Sequence, residues 1–127
     1  MKVLGTLLSL VLVSSAHAQS LQEKYEPSVQ CGKQAAERFA RDWSERSVRA
    51  TFENYYNSRL NKCFYLEISA LYEGAQKMLT LIDLHENRVI GSYDKLEGEA
   101  FVVCSVQDQQ CKSEAEWRAL IKPFMED

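Results

Sequence analysis

The sequence has no glycine-rich phosphate loop, no Gly-x-Ser-x-Gly elbow and no Cys-x-x-Cys pair. The first absence removes the phosphate cradle of nucleotide-binding folds, the second the strained serine of α/β-hydrolases, and the third the usual spacing of zinc and redox sites. A basic stripe is missing too: Lys and Arg total 15 against 18 Asp and Glu, a formal net charge of −3. A mildly acidic chain is a poor match for the phosphates of nucleic acid, so no nucleic-acid partner is expected. Past residue 18 there is no apolar run long enough for a membrane helix. There are no internal repeats and no low-complexity segment.

What is present begins with an export signal. Lys2 gives a positive start, Val3 to Val13 is a mostly apolar run, and Ala16-His17-Ala18 offers small residues at the two positions a signal peptidase reads. The expectation is a signal peptide over 1–18, cleaved after Ala18, and a single domain over 19–127. The apolar run is too short to span a bilayer as a stable helix. No cysteine follows the cleavage point, so a lipoprotein anchor is not indicated. Cleavage removes one charge, Lys2, which leaves 14 basic against 18 acidic residues, or −4. The remaining chain suits one modest core.

All four cysteines fall after the signal: Cys31, Cys63, Cys104 and Cys111. An even count in a small exported domain reads as two disulfides in an oxidising compartment. Of three possible pairings, Cys104–Cys111 and Cys31–Cys63 are favoured. The first closes a short polar loop, and the second ties an N-terminal helix to a strand. On the chain-entropy model they contribute about 2.5 and about 3.7 kcal/mol.

Gln19 to Glu26 is polar and expected to be loose. Pro27-Ser28 marks a helix start, with Ser28 as N-cap. Gly32, Ala36, Phe39 and Trp43 recur at helical steps and predict a buried stripe on a helix over about Val29 to Trp43, with Cys31 beside it. After the polar break at 44–47 the period changes to two. Strands are expected over Arg49 to Asn57, around Phe64 to Ala70, over Met78 to Leu84, over Val89 to Tyr93 and over Ala100 to Val106. A helix between Ala70 and Gln76 is an alternative for that stretch. Asp94 to Glu99 reads as an acidic loop. The third strand is apolar on both parities (Leu79 and Leu81, Met78 and Ile82), which places it centrally. Ser113-Glu114-Ala115-Glu116 is a capping box, and Trp117, Leu120, Ile121 and Phe124 follow at helical spacing, with Pro123 ending or kinking the helix. The predicted fold is α+β: an antiparallel meander of four or five strands, flanked by an N-terminal and a C-terminal helix on one face, with two disulfides.

The most distinctive stretch is Tyr56-Asn57-Ser58-Arg59-Leu60-Asn61-Lys62-Cys63-Phe64. It resembles a segment of small exported bacterial proteins without an assigned activity, in which Tyr-Asn leads into Leu-Asn-Lys-Cys-Phe. A cysteine early in the first helix, as Cys31, and a closing pair before a final helix, as Cys104 and Cys111, belong to the same pattern. The resemblance implies a bacterial, exported protein, and it carries over no catalytic residue.

Read on its own, this stretch is a candidate recognition loop. Tyr55, Tyr56, Arg59, Asn61 and Lys62 combine flat aromatic surface with hydrogen-bond donors. The bland reading is a hairpin whose asparagines satisfy local backbone and whose tyrosines pack across strands. Asp83, His85 and Glu86 are the candidate metal ligands of a small metal-dependent hydrolase, against a polar strand end. A cysteine nucleophile would need a free thiol beside His85, the one histidine after the signal, and export argues against a free thiol. The acidic pairs Asp94 and Glu97, Glu97 and Glu99, and Glu114 and Glu116 lie in a loop and a cap, where solvation accounts for them. Phe39 with Trp43, and Trp117 with Phe124, are core stripes rather than a cofactor box, so no cofactor is expected. The combined expectation is a periplasmic or secreted, non-enzymatic binding or structural module. Its partner is a protein or an envelope component, with an inhibitor of an exogenous hydrolase as the narrower form.

Overall fold

The computed structural model describes residues 16–44, 49–98 and 102–127. The element order is α1 (Ala16–Asp42), β1 (Arg49–Asn57), β2 (Lys62–Leu71), β3 (Gln76–Asp83), β4 (Arg88–Leu96), β5 (Val102–Val106), β6 (Gln109–Gln110) and α2 (Glu114–Met125). The six strands follow one another in a single sheet in sequence order, every pair antiparallel. The α+β class and both flanking helices are as expected. The apolar signal run, the break at 45–47 and the start of the fifth expected strand at 100–101 lie outside the described residues.

Strand parity decides where each helix sits. Phe64, Leu66, Leu79, Leu81, Ile90, Tyr93, Cys104 and Val106 form one side of the sheet and pack with Trp117 and Ile121 of α2. Tyr65 and Ile82 point the other way and pack with Ala35 of α1, joined by Phe39 and Phe52. The helices therefore cover opposite faces, not one. The reason is in β2, where Cys63, Phe64, Tyr65 and Leu66 are all buried. A strand apolar on both parities needs a cover on both sides.

Other boundaries differ from the sequence reading for local reasons. α1 runs through Pro27, although the proline removes one helix hydrogen bond. Gln22, Glu23, Lys24 and Glu26 are good helix formers and carry the helix past it, so 19–26 is helical rather than loose and Ser28 is interior. The expected cleavage point, after Ala18, falls within α1. The buried stripe is Cys31 and Ala35, with Ala36 exposed. Cys31 is thus the centre of the face, because its bond to Cys63 pins it against β2. The acidic loop begins later than expected: Asp94, Lys95 and Leu96 continue β4, and Asp94 accepts a hydrogen bond from the Gln76 side chain at 2.9 Å. Between β2 and β3 stands a single 3-10 turn of helix, Tyr72–Gly74, kinked at Glu73 (φ 57°), so the helical alternative for that stretch holds only over these three residues. The loop inside the second disulfide is itself a hairpin, β5–β6, so the sheet has six strands rather than four or five.

α2 begins as its capping box requires. Ser113 accepts the Glu116 amide at 3.1 Å, while Glu116 reaches back to the Lys112 amide at 2.8 Å. Trp117 is fully buried, and its indole donates to the Ser105 carbonyl at 3.0 Å. Gly91 lies beneath it. A Cβ there would meet Val106 at 3.0 Å and the Ser105 carbonyl at 3.1 Å, closer than side chains ordinarily approach.

Both favoured disulfides are present, with Cα–Cα distances of 5.3 Å for Cys31–Cys63 and 5.0 Å for Cys104–Cys111. They enclose sequence separations of 32 and 7. Replacing Cys31 and Cys63 with alanine should cost about 1 kcal/mol more than replacing Cys104 and Cys111, because the longer loop restricts the unfolded chain more. Calorimetry of the two double variants reads this as a melting temperature roughly 4–8 °C lower for the first than for the second. Equal falls would set the loop-length argument aside.

Candidate functional site

The β1–β2 hairpin turns through 58–61, with Asn57 opposite Lys62 and Asn61 in the left-handed region at φ 51°. Asparagine tolerates that conformation better than most residues. Asn57 is fully buried. Its side-chain amide donates to the carbonyls of Pro123 at 2.9 Å and Phe124 at 3.1 Å, with the Glu126 carbonyl at 3.4 Å. Its oxygen accepts the Leu60 amide at 3.0 Å. One side chain thus closes its own turn and satisfies the orphan carbonyls at the end of α2. Arg59 donates to the Pro123 carbonyl at 3.0 Å, a cation at a helix C-terminus. Ser58 donates to the Asp127 carboxylate at 2.5 Å. Tyr55 sits beside the same carboxylate. Burial first, then the Asp127 charge, pushes its phenol up.

The five hairpin residues singled out for recognition do not share one surface. Tyr55 and Lys62 lie on the α2 side of the strands, whereas Tyr56, opposite Cys63, lies on the α1 side. Tyr56 donates to Asn61 at 2.6 Å. Lys62 donates to Asp83 at 2.8 Å and Glu86 at 3.1 Å. Their polar atoms are used inside the chain, where they latch the hairpin to α2 and to the β3–β4 turn.

Asp83 is a second buried polar group. Its Oδ1 accepts the backbone amides of His85 at 3.0 Å and Glu86 at 3.1 Å, and its Oδ2 accepts Lys62. Burial pushes this carboxyl up, but the Lys62 ammonium and the two amides outweigh it and hold it below the usual carboxylate range. Glu86 is shared with Lys62 and Arg88, and His85 is exposed. Among the described residues no three His, Cys, Asp or Glu side chains converge as a cation cage. The trio nominated for metal binding is arranged as a turn brace.

The open feature lies at the other end of the sheet. A groove of about 700 Å³ is formed by Phe39 of α1, Arg49, Ala50 and Thr51 of β1, Ile68, Ser69 and Ala70 of β2, Gly74, and Lys77 of β3. Its floor is mostly apolar, with hydroxyls from Thr51 and Ser69 and cations from Arg49 and Lys77 at the rim. Lys77 is held by Glu114 at 2.5 Å. Arg49 has no ion-pair partner among the described residues.

No protein-family model, no curated protein and no solved structure matches this chain. The arrangement is therefore interpreted from its own chemistry. The sequence reading missed the groove. Its available signal was three small residues, Ala50, Ala70 and Gly74, at strand ends that register across one another. Arg49 pairs with Ala70 and Ala50 with Ser69.

Two outcomes follow for the braces. Asn57→Ala should destabilise by about 1–3 kcal/mol, the cost of leaving buried carbonyls unpaired. Asn57→Asp should cost more, because a carboxylate then faces those carbonyls. Denaturant unfolding of both variants checks the order. Asp83, with its carboxyl held low in the folded state, adds stability that is present above the ordinary carboxylate value and lost as pH falls through the folded value. Asp83→Asn should therefore flatten the fall of melting temperature below about pH 4. An unchanged slope would mean that the Lys62 pair carries no such linkage.

Proposed function

We propose that this chain is an exported, non-enzymatic binding module of bacterial origin, working in the periplasm or outside the cell, and that the groove beside β1 takes part of a protein partner. Two disulfides with no free thiol support an oxidising compartment. No helix among the described residues is long and apolar enough to cross a membrane. The groove carries the reading. It is the largest of the hollows described, and it is lined by apolar and hydroxyl side chains with Arg49 and Lys77 beside them. The groups with shifted pKa values serve instead in braces and ion pairs.

The narrower form is an inhibitor of an exogenous hydrolase such as a lysozyme. The net charge of −4 after signal removal favours a basic partner through long-range attraction. A small rigid scaffold loses little on binding, because its surface is already ordered.

The deciding experiment fills the groove. Ala70→Trp places an indole in it, while Arg59→Ala and Tyr55→Ala alter the hairpin. The purified native protein should lower lysis of cell-wall peptidoglycan by lysozyme. Ala70→Trp should lose that effect by about tenfold or more, with the hairpin variants close to native. No inhibition by the native protein removes the hydrolase reading. Inhibition lost only in the hairpin variants moves the site to residues 55–62.

A further inference from the structure

We infer that two copies of this chain pair through β1, edge to edge, in an antiparallel ladder whose two-fold axis passes through Thr51. The sheet ends in two edges of different character. β6 has two residues and is closed back by the Cys104–Cys111 bond, whereas β1 has nine and is hydrogen-bonded on its β2 side alone. Edge strands are ordinarily blunted by proline, by a bulge or by charged side chains that a partner strand would leave unpaired. β1 has no proline, and its register with β2 is unbroken from Arg49 to Asn57. Its first half carries one cation and one anion, Arg49 and Glu53. Both are exposed, and neither has an ion-pair partner among the described residues.

The spacing of those charges selects the partner. In antiparallel pairing the outward backbone groups belong to alternate residues, so a strand meeting its own copy places residues of like parity opposite each other, and the two-fold axis passes through a residue. An axis through Glu53 sets carboxylate against carboxylate. An axis through Phe52 sets Arg49 opposite Tyr55. With the axis through Thr51, Arg49 faces the partner's Glu53, and Glu53 faces the partner's Arg49. The charges of the edge are then neutralised in two ion pairs related by the axis, and Thr51 meets Thr51 of the partner subunit. On the other face of the strand, Ala50 stands opposite the partner's Phe52, small against large. That face already holds an aromatic stack, with Phe52 at 4.9 Å from Phe39 and 5.6 Å from Tyr65 between ring centres. A second copy of this chain is therefore complementary to the edge in charge and in size. The two-fold contact is isologous and closed, so it stops at two chains.

Cross-linking tests the register on the whole secreted chain with its own disulfides intact. Thr51→Cys should form an interchain disulfide on mild oxidation, because residues directly opposite in an antiparallel pair lie within disulfide reach. Ala50→Cys, opposite Phe52 of the partner subunit, should not. Light scattering of the unaltered protein at roughly 100 µM should give twice the chain mass if the Kd is micromolar. Glu53→Arg should raise that Kd by about tenfold or more, and the exchange Arg49→Glu with Glu53→Arg should restore it. A single-chain mass at that concentration overturns the inference. Equal cross-linking at positions 50 and 51 does the same, as does an exchange variant no better than Glu53→Arg. None of these readings depends on what fills the groove.

Discussion

Four consecutive residues of β2, Cys63 to Leu66, are all buried, and this two-sided strand sets the architecture. A half-buried sheet would offer alternate residues to water. Here neither face of β2 can do so, and β3 continues the pattern with Leu79, Leu81 and Ile82. One helix cannot serve both faces. The chain supplies α1 before the meander and α2 after it, and the Cys31–Cys63 bond joins α1 to the strand that most needs covering. Trp117 plays the matching part on the opposite face, where Gly91 leaves room for its ring. The α2 side therefore carries the larger core, while α1 covers the β1–β2 half with an aromatic stack.

The antiparallel register then divides the molecule end from end. The turns at 58–61 and 84–87, the Cys31–Cys63 bond and the C-terminus of α2 all gather at one end. There Asn57, Arg59, Lys62 and Asp83 knit three connections together through buried or half-buried hydrogen bonds. Buried polar groups satisfied in this way hold geometry more than they add net stability. At the opposite end stand the small residues Ala50, Ala70 and Gly74 beside Arg49 and Lys77, with few braces. Rigidity at one end and open volume at the other suit the binding role proposed above, because an already ordered scaffold loses little on association.

Much of this was legible in the sequence, for identifiable reasons. The period-two runs gave β1 with its observed bounds. The capping box gave the start of α2, and an even cysteine count with a short loop gave both disulfides. The failures have physical sources as well. Pro27 is a strong local stop signal, but it removes only one hydrogen bond, and the helix formers before it outweigh that loss. Asp94 and Lys95 read as loop because they are charged, yet at this end of β4 Asp94 is only half-buried and Lys95 is exposed on the opposite face, so the strand tolerates both charges. Two-parity hydrophobicity in Met78 to Ile82 was correctly tied to a central strand, but its second consequence, a helix on each face, was not drawn. The hairpin residues looked like a recognition surface because tyrosine, arginine and asparagine serve binding and bracing equally well. Only the register, which sends Tyr55 and Tyr56 to opposite faces, separates the two roles. The groove had the faintest signal, because a hollow is written in what small residues leave out.

The distribution of shifted ionisable groups bears on what the groove can do. Acid–base chemistry needs two titratable groups with separated pKa values facing a common cavity. In this chain the carboxyls held low are Asp42, Asp83, Glu114 and Asp127. For Asp42, Asp83 and Glu114, burial opposes the shift, and an adjacent arginine or lysine provides the favourable contact. Asp127, at the braced end, is lowered chiefly by the Ser58 hydroxyl. None of the four is among the groove residues described, and of its two cations Lys77 is already neutralised by Glu114. The other, Arg49, is a permanently charged donor that holds a proton at all ordinary pH and so cannot shuttle one. The binding role proposed for the groove therefore rests on its apolar walls, two hydroxyls and guanidinium rather than on any proton couple among the described residues.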